Sequence, residues 1–140
     1  MLYVAEPPPR YLVRPPLVLD CSVLAAALFQ EEAREEAKQH VSSADLHAPH
    51  GLQFEIAQVA LKKMTAGLEQ VARAGLHHLK EMRIDLHRID EEPVFDLAAR
   101  YKLSVYDASY LWLAGELKAP LATFDLRLAK AARTYLAGLS

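Results

Sequence analysis

Twice in this 140-residue chain a short apolar run ends on an aspartate, and a helix-forming stretch follows at once. In the first case Leu17-Val18-Leu19 runs into Asp20, with Cys21-Ser22-Val23-Leu24 after it. In the second, Pro120-Leu121-Ala122-Thr123-Phe124 runs into Asp125, and an amphipathic stretch continues from Leu126 to about Leu136. Such a pattern reads as a buried strand feeding a helix. Between the two, Asp45-Leu46-His47-Ala48-Pro49 is a weaker strand candidate. It precedes a long helical region from about Leu52 to Met82, broken near Gly67. Ile84 to Ile89 alternates apolar and polar residues as a third strand candidate. Pro93 suits the first turn of a helix that runs through Phe95, Leu97, Ala98 and Tyr101. Leu103-Ser104-Val105-Tyr106 then leads into Asp107 and a helix from Ala108 to about Lys118. Strands alternating with helices predict a three-layer α/β sandwich, a mostly parallel sheet of four or five strands with helices on both faces.

The length fits one domain, expected over residues 17–140. The first sixteen residues hold five prolines (Pro7, Pro8, Pro9, Pro15, Pro16) and read as an extended or disordered N-terminal arm, because each proline fixes φ and lacks a backbone donor. Cys21 is the only cysteine, so an intrachain disulfide is excluded, which suits a reducing compartment. No apolar run approaches the roughly 20 residues of a membrane-spanning helix. The opening MLYVAEPPPRYLVRPP has proline and charge where a signal peptide needs a continuous apolar segment, so the cytoplasm is the expected location and no membrane partner is expected. A net charge of −2 argues against a passive polyanion binder. It argues less against a nuclease, whose bound divalent cations would bring positive charge to the site.

In an open parallel sheet, ligands bind outside the carboxyl ends of the strands, near the point where strand order reverses. Asp20 and Asp125 each follow a predicted buried strand, Asp107 opens a helix, and Glu55 lies soon after Pro49. All four are candidates for one rim of the sheet. Carboxylates converging there would repel one another unless a cation neutralised them, and hard oxygen ligands with room for water suit Mg²⁺ or Mn²⁺. Taken singly, each has a plainer reading: Asp20 and Asp107 as helix caps, Glu55 as a favourable charge near a helix N-terminus.

Three segments together carry a family resemblance: LVLDCSVLAAAL, APHGLQFEIAQVALKK and KLSVYDASYLWLAGELKAPLATFDLRLAKAA. They resemble a PIN domain, above all the VapC-like toxin ribonucleases of bacterial and archaeal toxin–antitoxin pairs. The resemblance covers about residues 17 to 140. Asp20 with Ser22 matches the family's opening Asp-x-Ser/Thr, Glu55 its helical glutamate, Asp107 its helix-start aspartate, and Thr123-Phe124-Asp125 its strand ending in Thr-x-Asp. By that resemblance Asp20, Glu55, Asp107 and Asp125 are the catalytic residues and hold one or two Mg²⁺ or Mn²⁺ ions, with Ser22 and Thr123 supporting them through their hydroxyls. The implied activity is endoribonucleolytic hydrolysis of RNA phosphodiesters by a metal-activated water. The implied partners are an RNA substrate, a small antitoxin protein and a second copy of the chain. Phe54, directly before Glu55, and Phe124, between Thr123 and Asp125, depart from the pattern by their bulk, although alternation turns Phe124 toward the core.

Other residues read more plainly. His77 and His78 are adjacent and would point about 100° apart on a helix. His47 and His50 flank Pro49, His40 and His87 stand alone, and no spacing resembles H-E-x-x-H. Cys21 reads as a small core residue. Arg127 and Lys130, with Arg133, follow Asp125 at helical spacing and would either meet RNA phosphates or form a solvated face. Gln30 to Lys38 reads as an exposed charged face. Val23, Leu24, Leu28, Phe29, Val59 and Met64 would extend a core or form a dimer seam. Two rival functions stand beside the nuclease: a catalytically silent PIN-like interaction module, and a phosphoryl-transfer protein on a doubly wound sheet. The second would ordinarily show paired acids or Asp-x-Asp near its first strand, and Asp20-Cys21-Ser22 offers neither.

Overall fold

The structure, a computed structural model, describes residues 1–7 and 14–139. Among them are five strands: β1 (Tyr3–Ala5), β2 (Pro16–Leu19), β3 (Asp45–Pro49), β4 (Ile84–His87) and β5 (Leu121–Thr123). Seven helices connect or follow them: α1 (Cys21–Leu28), α2 (Arg34–Val41), α3 (Leu52–Thr65), α4 (Glu69–Glu81), α5 (Glu91–Tyr101), α6 (Val105–Leu117) and α7 (Leu126–Ala137).

The strands lie in the order β1-β5-β2-β3-β4. β2, β3, β4 and β5 are mutually parallel and β1 is antiparallel to β5. The two crossovers β2–β3 and β3–β4 step outward in one direction, carrying α1 to α4 over one face. The β4–β5 crossover then returns past β2, which places α5 and α6 on the opposite face with α7, as right-handed crossovers require. The expected sandwich is therefore the fold. The core lies on both sides of the central strands: Val18, Leu19, Leu121 and Ala122 are fully enclosed, with Leu24, Ile56, Leu111 and Leu128 from the helices. Val23, Leu24, Leu28 and Phe29 belong to this core, which answers the choice between core and seam for α1; Met64 stays exposed.

Local chemistry accounts for the helix boundaries. Asp20 caps α1, Ser104 caps α6 and Asp125 caps α7, each accepting an amide hydrogen from the first turn. α6 thus begins two residues before Asp107, which lies in its first turn. Gly67, at φ 87°, makes the break between α3 and α4 in a left-handed conformation that favours glycine. At the N-terminus the structure adds an element to the expected arm. Tyr3–Ala5 pairs with β5, Tyr3 beside Thr123 and Ala5 beside Leu121, and forms one edge of the sheet. The arm's residues 8–13, with Pro8 and Pro9, lie outside the described residues.

Candidate active site

β2 and β5 are neighbours whose connections leave in opposite directions, so the strand order reverses between them. In an open α/β sheet such a reversal opens a crevice at the carboxyl ends of the strands. Asp20 follows β2 and Asp125 follows β5 at that crevice. The two segments are locked together by hydroxyls. Ser22 donates to Asp20 Oδ1 at 2.6 Å, and the Ser22 Oγ in turn accepts the Phe124 amide at 3.0 Å. Thr123 donates its hydroxyl to Asp20 Oδ2 and accepts the Asp125 amide at 2.9 Å. Asp20 also accepts the Val23 amide at 3.2 Å, so the cap and the rim position coexist in one side chain.

Glu55, in the first turn of α3, receives a hydrogen bond from the Tyr110 hydroxyl at 2.7 Å. Tyr110 is three residues after Asp107 on α6, so these two side chains share a helix face. That spacing was the sequence signal for Tyr110, and reading acids alone passed over it. Asp107 has its amide bonded to the Ser104 hydroxyl at 3.0 Å. Asp125 accepts the Arg127 and Leu128 amides at 2.9 and 3.4 Å, both on Oδ1.

The four carboxylates feel one another. Burial raises the pKa of Asp20, and the charge of Asp107 raises it further against the Ser22, Thr123 and Val23 hydrogen bonds. Burial likewise raises Glu55, with Asp107 and Asp20 adding repulsion and the Tyr110 hydrogen bond opposing it. For Asp107 the same burial effect is joined by repulsion from Asp125 and opposed by the Ser104 hydrogen bond and Arg127. Elements far apart in sequence thus gather four acids whose charges disfavour each other, with only partial relief from hydrogen bonds.

The remaining expected residues fall as follows. Arg127 is exposed and near enough to Asp107 to favour its ionised form, and it donates to the Lys102 carbonyl at 2.6 Å. Lys130 is exposed one turn further along α7. Phe124 is half-buried against the core and Phe54, 82% exposed, projects into solvent. Burial pushes the Cys21 thiol up to about 12, which disfavours the thiolate a nucleophile needs. At the start of α6 a cleft of about 350 Å³ opens, lined by residues including His50, Arg88 and Tyr106.

The PIN domain family model matches residues 17–134. The chain belongs to the PIN-domain family. This PIN domain is 35% identical over 121 residues to Ribonuclease VapC3 of Pyrobaculum aerophilum, a match covering 81% of this chain and 92% of that protein. It is 34% identical over 117 residues to VapC ribonuclease Mb0985 of Mycobacterium bovis and to Ribonuclease VapC9 of Mycobacterium tuberculosis, covering 80% of this chain and 87% of each. The crystal structure of PAE2754 from Pyrobaculum aerophilum has the same PIN fold, with a TM-score of 0.66 at 20% identity over 87% of both chains. The resemblance to VapC-like PIN ribonucleases that the three sequence segments carry is therefore sound.

Proposed function

We propose that this PIN domain is a metal-dependent endoribonuclease, with Asp20, Glu55, Asp107 and Asp125 as its catalytic carboxylates. The observation that carries the reading is their convergence: Asp20 and Asp125 follow adjacent strands at the point where strand order reverses, and Asp107 lies close enough to Asp20, Glu55 and Asp125 for their charges to be felt. A structural cap needs one carboxylate and gains nothing from three others beside it. The donor set is all oxygen, which fits Mg²⁺ or Mn²⁺. When bound, such an ion would polarise the phosphodiester and stabilise the leaving oxygen.

The chain's own residues supply the rest. Ser22 and Thr123 fix the Asp20 carboxylate from both oxygens, and Tyr110 fixes Glu55. A ligand held this way loses little freedom when the site fills, which is the contribution of supporting hydrogen bonds. Arg127 and Lys130, exposed on α7 after Asp125, would meet the phosphates flanking the scissile bond. The cleft at the start of α6 would receive an adjoining nucleotide, with Tyr106 as an aromatic surface for its base. Hydrolysis would proceed by direct attack of water, with no covalent enzyme intermediate. The curated relatives carry VapC ribonuclease names, and on that likeness we place the chain as the toxin of a toxin–antitoxin pair. It would act in the cytoplasm as a homodimer restrained by a small antitoxin.

The test is cleavage of a mixed single-stranded RNA pool by purified protein freed of any partner, with Mg²⁺, Mn²⁺ or EDTA. Cutting should require the metal and fall at least ~100-fold in Asp20→Asn and Asp107→Asn, beyond the loss typical of a supporting group. Cutting that survives EDTA or both substitutions would overturn the mechanism. Wild-type protein that neither cuts nor binds Mn²⁺ would leave the silent interaction module in its place.

A further inference from the structure

Among the described residues β4 is the edge strand opposite β1, and one face of the β3–β4 pair is polar. Parallel strands covered on both faces run almost continuously apolar, whereas these two alternate. Leu46, Ala48, Ile84 and Leu86 occupy one face; Asp45, His47, Asp85 and His87 occupy the other. The parallel register sets His47 beside Asp85, with Asp45 two residues before His47 and His87 two residues after Asp85.

The contacts are specific. His47 Nε2 lies 3.0 Å from Asp45 Oδ2, and His47 Nδ1 lies 2.9 Å from His87 Nε2 and 3.9 Å from Asp85 Oδ2. A ring nitrogen of His47 and one carboxylate oxygen each from Asp45 and Asp85 all fall within 4.8 Å of one another. Ligand atoms sharing a tetrahedral ion stand roughly 3.3 Å apart at ordinary metal–nitrogen and metal–oxygen distances, so small side-chain movements would close the set. The competing account is that charges on an edge strand merely prevent pairing with another sheet. Charges serving that purpose would spread into water. Here the His47 side chain is only 12% exposed, and two half-exposed acids are directed at it.

We propose that Asp45, His47 and Asp85 form a second cation site, selective for a late first-row divalent metal such as Zn²⁺. Imidazole nitrogen with carboxylate oxygen suits Zn²⁺, Co²⁺ or Ni²⁺, while Mg²⁺ prefers oxygen alone. With Nε2 on the ion beside Asp45, Nδ1 keeps the His87 ring as its polar neighbour at 2.9 Å. Such a neighbour fixes the tautomer and the ring plane. The site is distinct from the rim by donor chemistry and by place, since Asp45 opens β3 while the rim lies beyond the strands' carboxyl ends. A bound ion would cross-link β4 to β3 at the edge of the sheet.

Zn²⁺ would be titrated calorimetrically into the metal-free full-length chain and its Asp107→Asn variant, then into Asp45→Asn and Asp85→Asn variants of each. One Zn²⁺ should bind the Asp107→Asn chain, and either edge substitution should weaken it at least ~10-fold. Both edge carboxylates are half-exposed, so circular dichroism should show these variants folded. In the unsubstituted chain, ¹⁵N resonances of the His47 ring should move on adding Zn²⁺ and stay unmoved with Mg²⁺. Zn²⁺ binding lost with Asp107→Asn, or indifferent to Asp45→Asn and Asp85→Asn, would assign the ion to the rim and overturn the proposal. Absence of Zn²⁺ binding and of any His47 shift would overturn it equally.

Discussion

Asp20 serves two purposes with one carboxylate. Its Oδ1 caps α1 through the Val23 amide, while Ser22 and Thr123 hold both oxygens at the rim. Removing a hydroxyl should therefore misplace the proposed metal ligand and leave the cap in place. Ser22→Ala and Thr123→Val should each lower the RNA-cleavage rate about 10–100-fold, with a nearly unchanged circular dichroism spectrum. The raised carboxylates give a second residue-level prediction. Their folded pKa values lie above the unfolded ones, so between the two the unfolded chain binds fewer protons than the native chain. Stability of the metal-free protein then falls as pH rises through that window. Thermal melting should show a midpoint that climbs as neutral buffer is acidified toward the raised values, with a smaller climb in Asp107→Asn. The rim positions were legible because each acid sits at an element boundary or in a first turn, where a short pattern reveals it. Tyr110 was legible only to a search for helical partners of Asp107. The Asp45, His47, Asp85 and His87 group was not legible at all. It comes together through strand register across 40 residues, and no local spacing records that.

At the scale of elements, the alternation of apolar runs with helical stretches anticipated β2 to β5, and Gly67 anticipated the break between α3 and α4. β1 escaped this reading because three residues ahead of a proline run hold no periodicity; they become a strand only because β5 offers an edge. α6 starts at Val105 because Ser104 caps it, a boundary that reading from Asp107 sets too late. Packing between α1 and α4 depends on a small residue. A Cβ on Gly75 of α4 would stand 2.3 Å from the Phe29 ring at the end of α1, with the Leu28 carbonyl at 3.0 Å. Phe29 is only 2% exposed, so its ring has little room to turn away. Alanine normally favours a helix over glycine by roughly 1 kcal/mol, yet here overpacking should outweigh that gain. Gly75→Ala is expected to lower stability by about 1–3 kcal/mol, measured by urea denaturation; a more stable variant would show that α1 and α4 separate easily.

For the whole molecule, the N-terminal strand and the penultimate element guard each other. β1 covers the outer edge of β5, and Arg133 of α7 lies over the Tyr3 ring at 5.5 Å. Deleting residues 1–5 would bare the unpaired groups of β5, an edge that invites pairing with other chains. The shortened protein should melt at a lower temperature and self-associate in sedimentation velocity, while an unchanged monodisperse profile would make β1 ornamental. β5 also supplies Thr123 to Asp20 across 103 residues of chain. Closing so long a loop costs chain entropy before the contact repays it. A nascent chain emerging from the ribosome consequently has no completed rim until β5 has been made. A chain ending before β5 would lack Asp125 and the Thr123 hydroxyl on Asp20, and with them part of the proposed site.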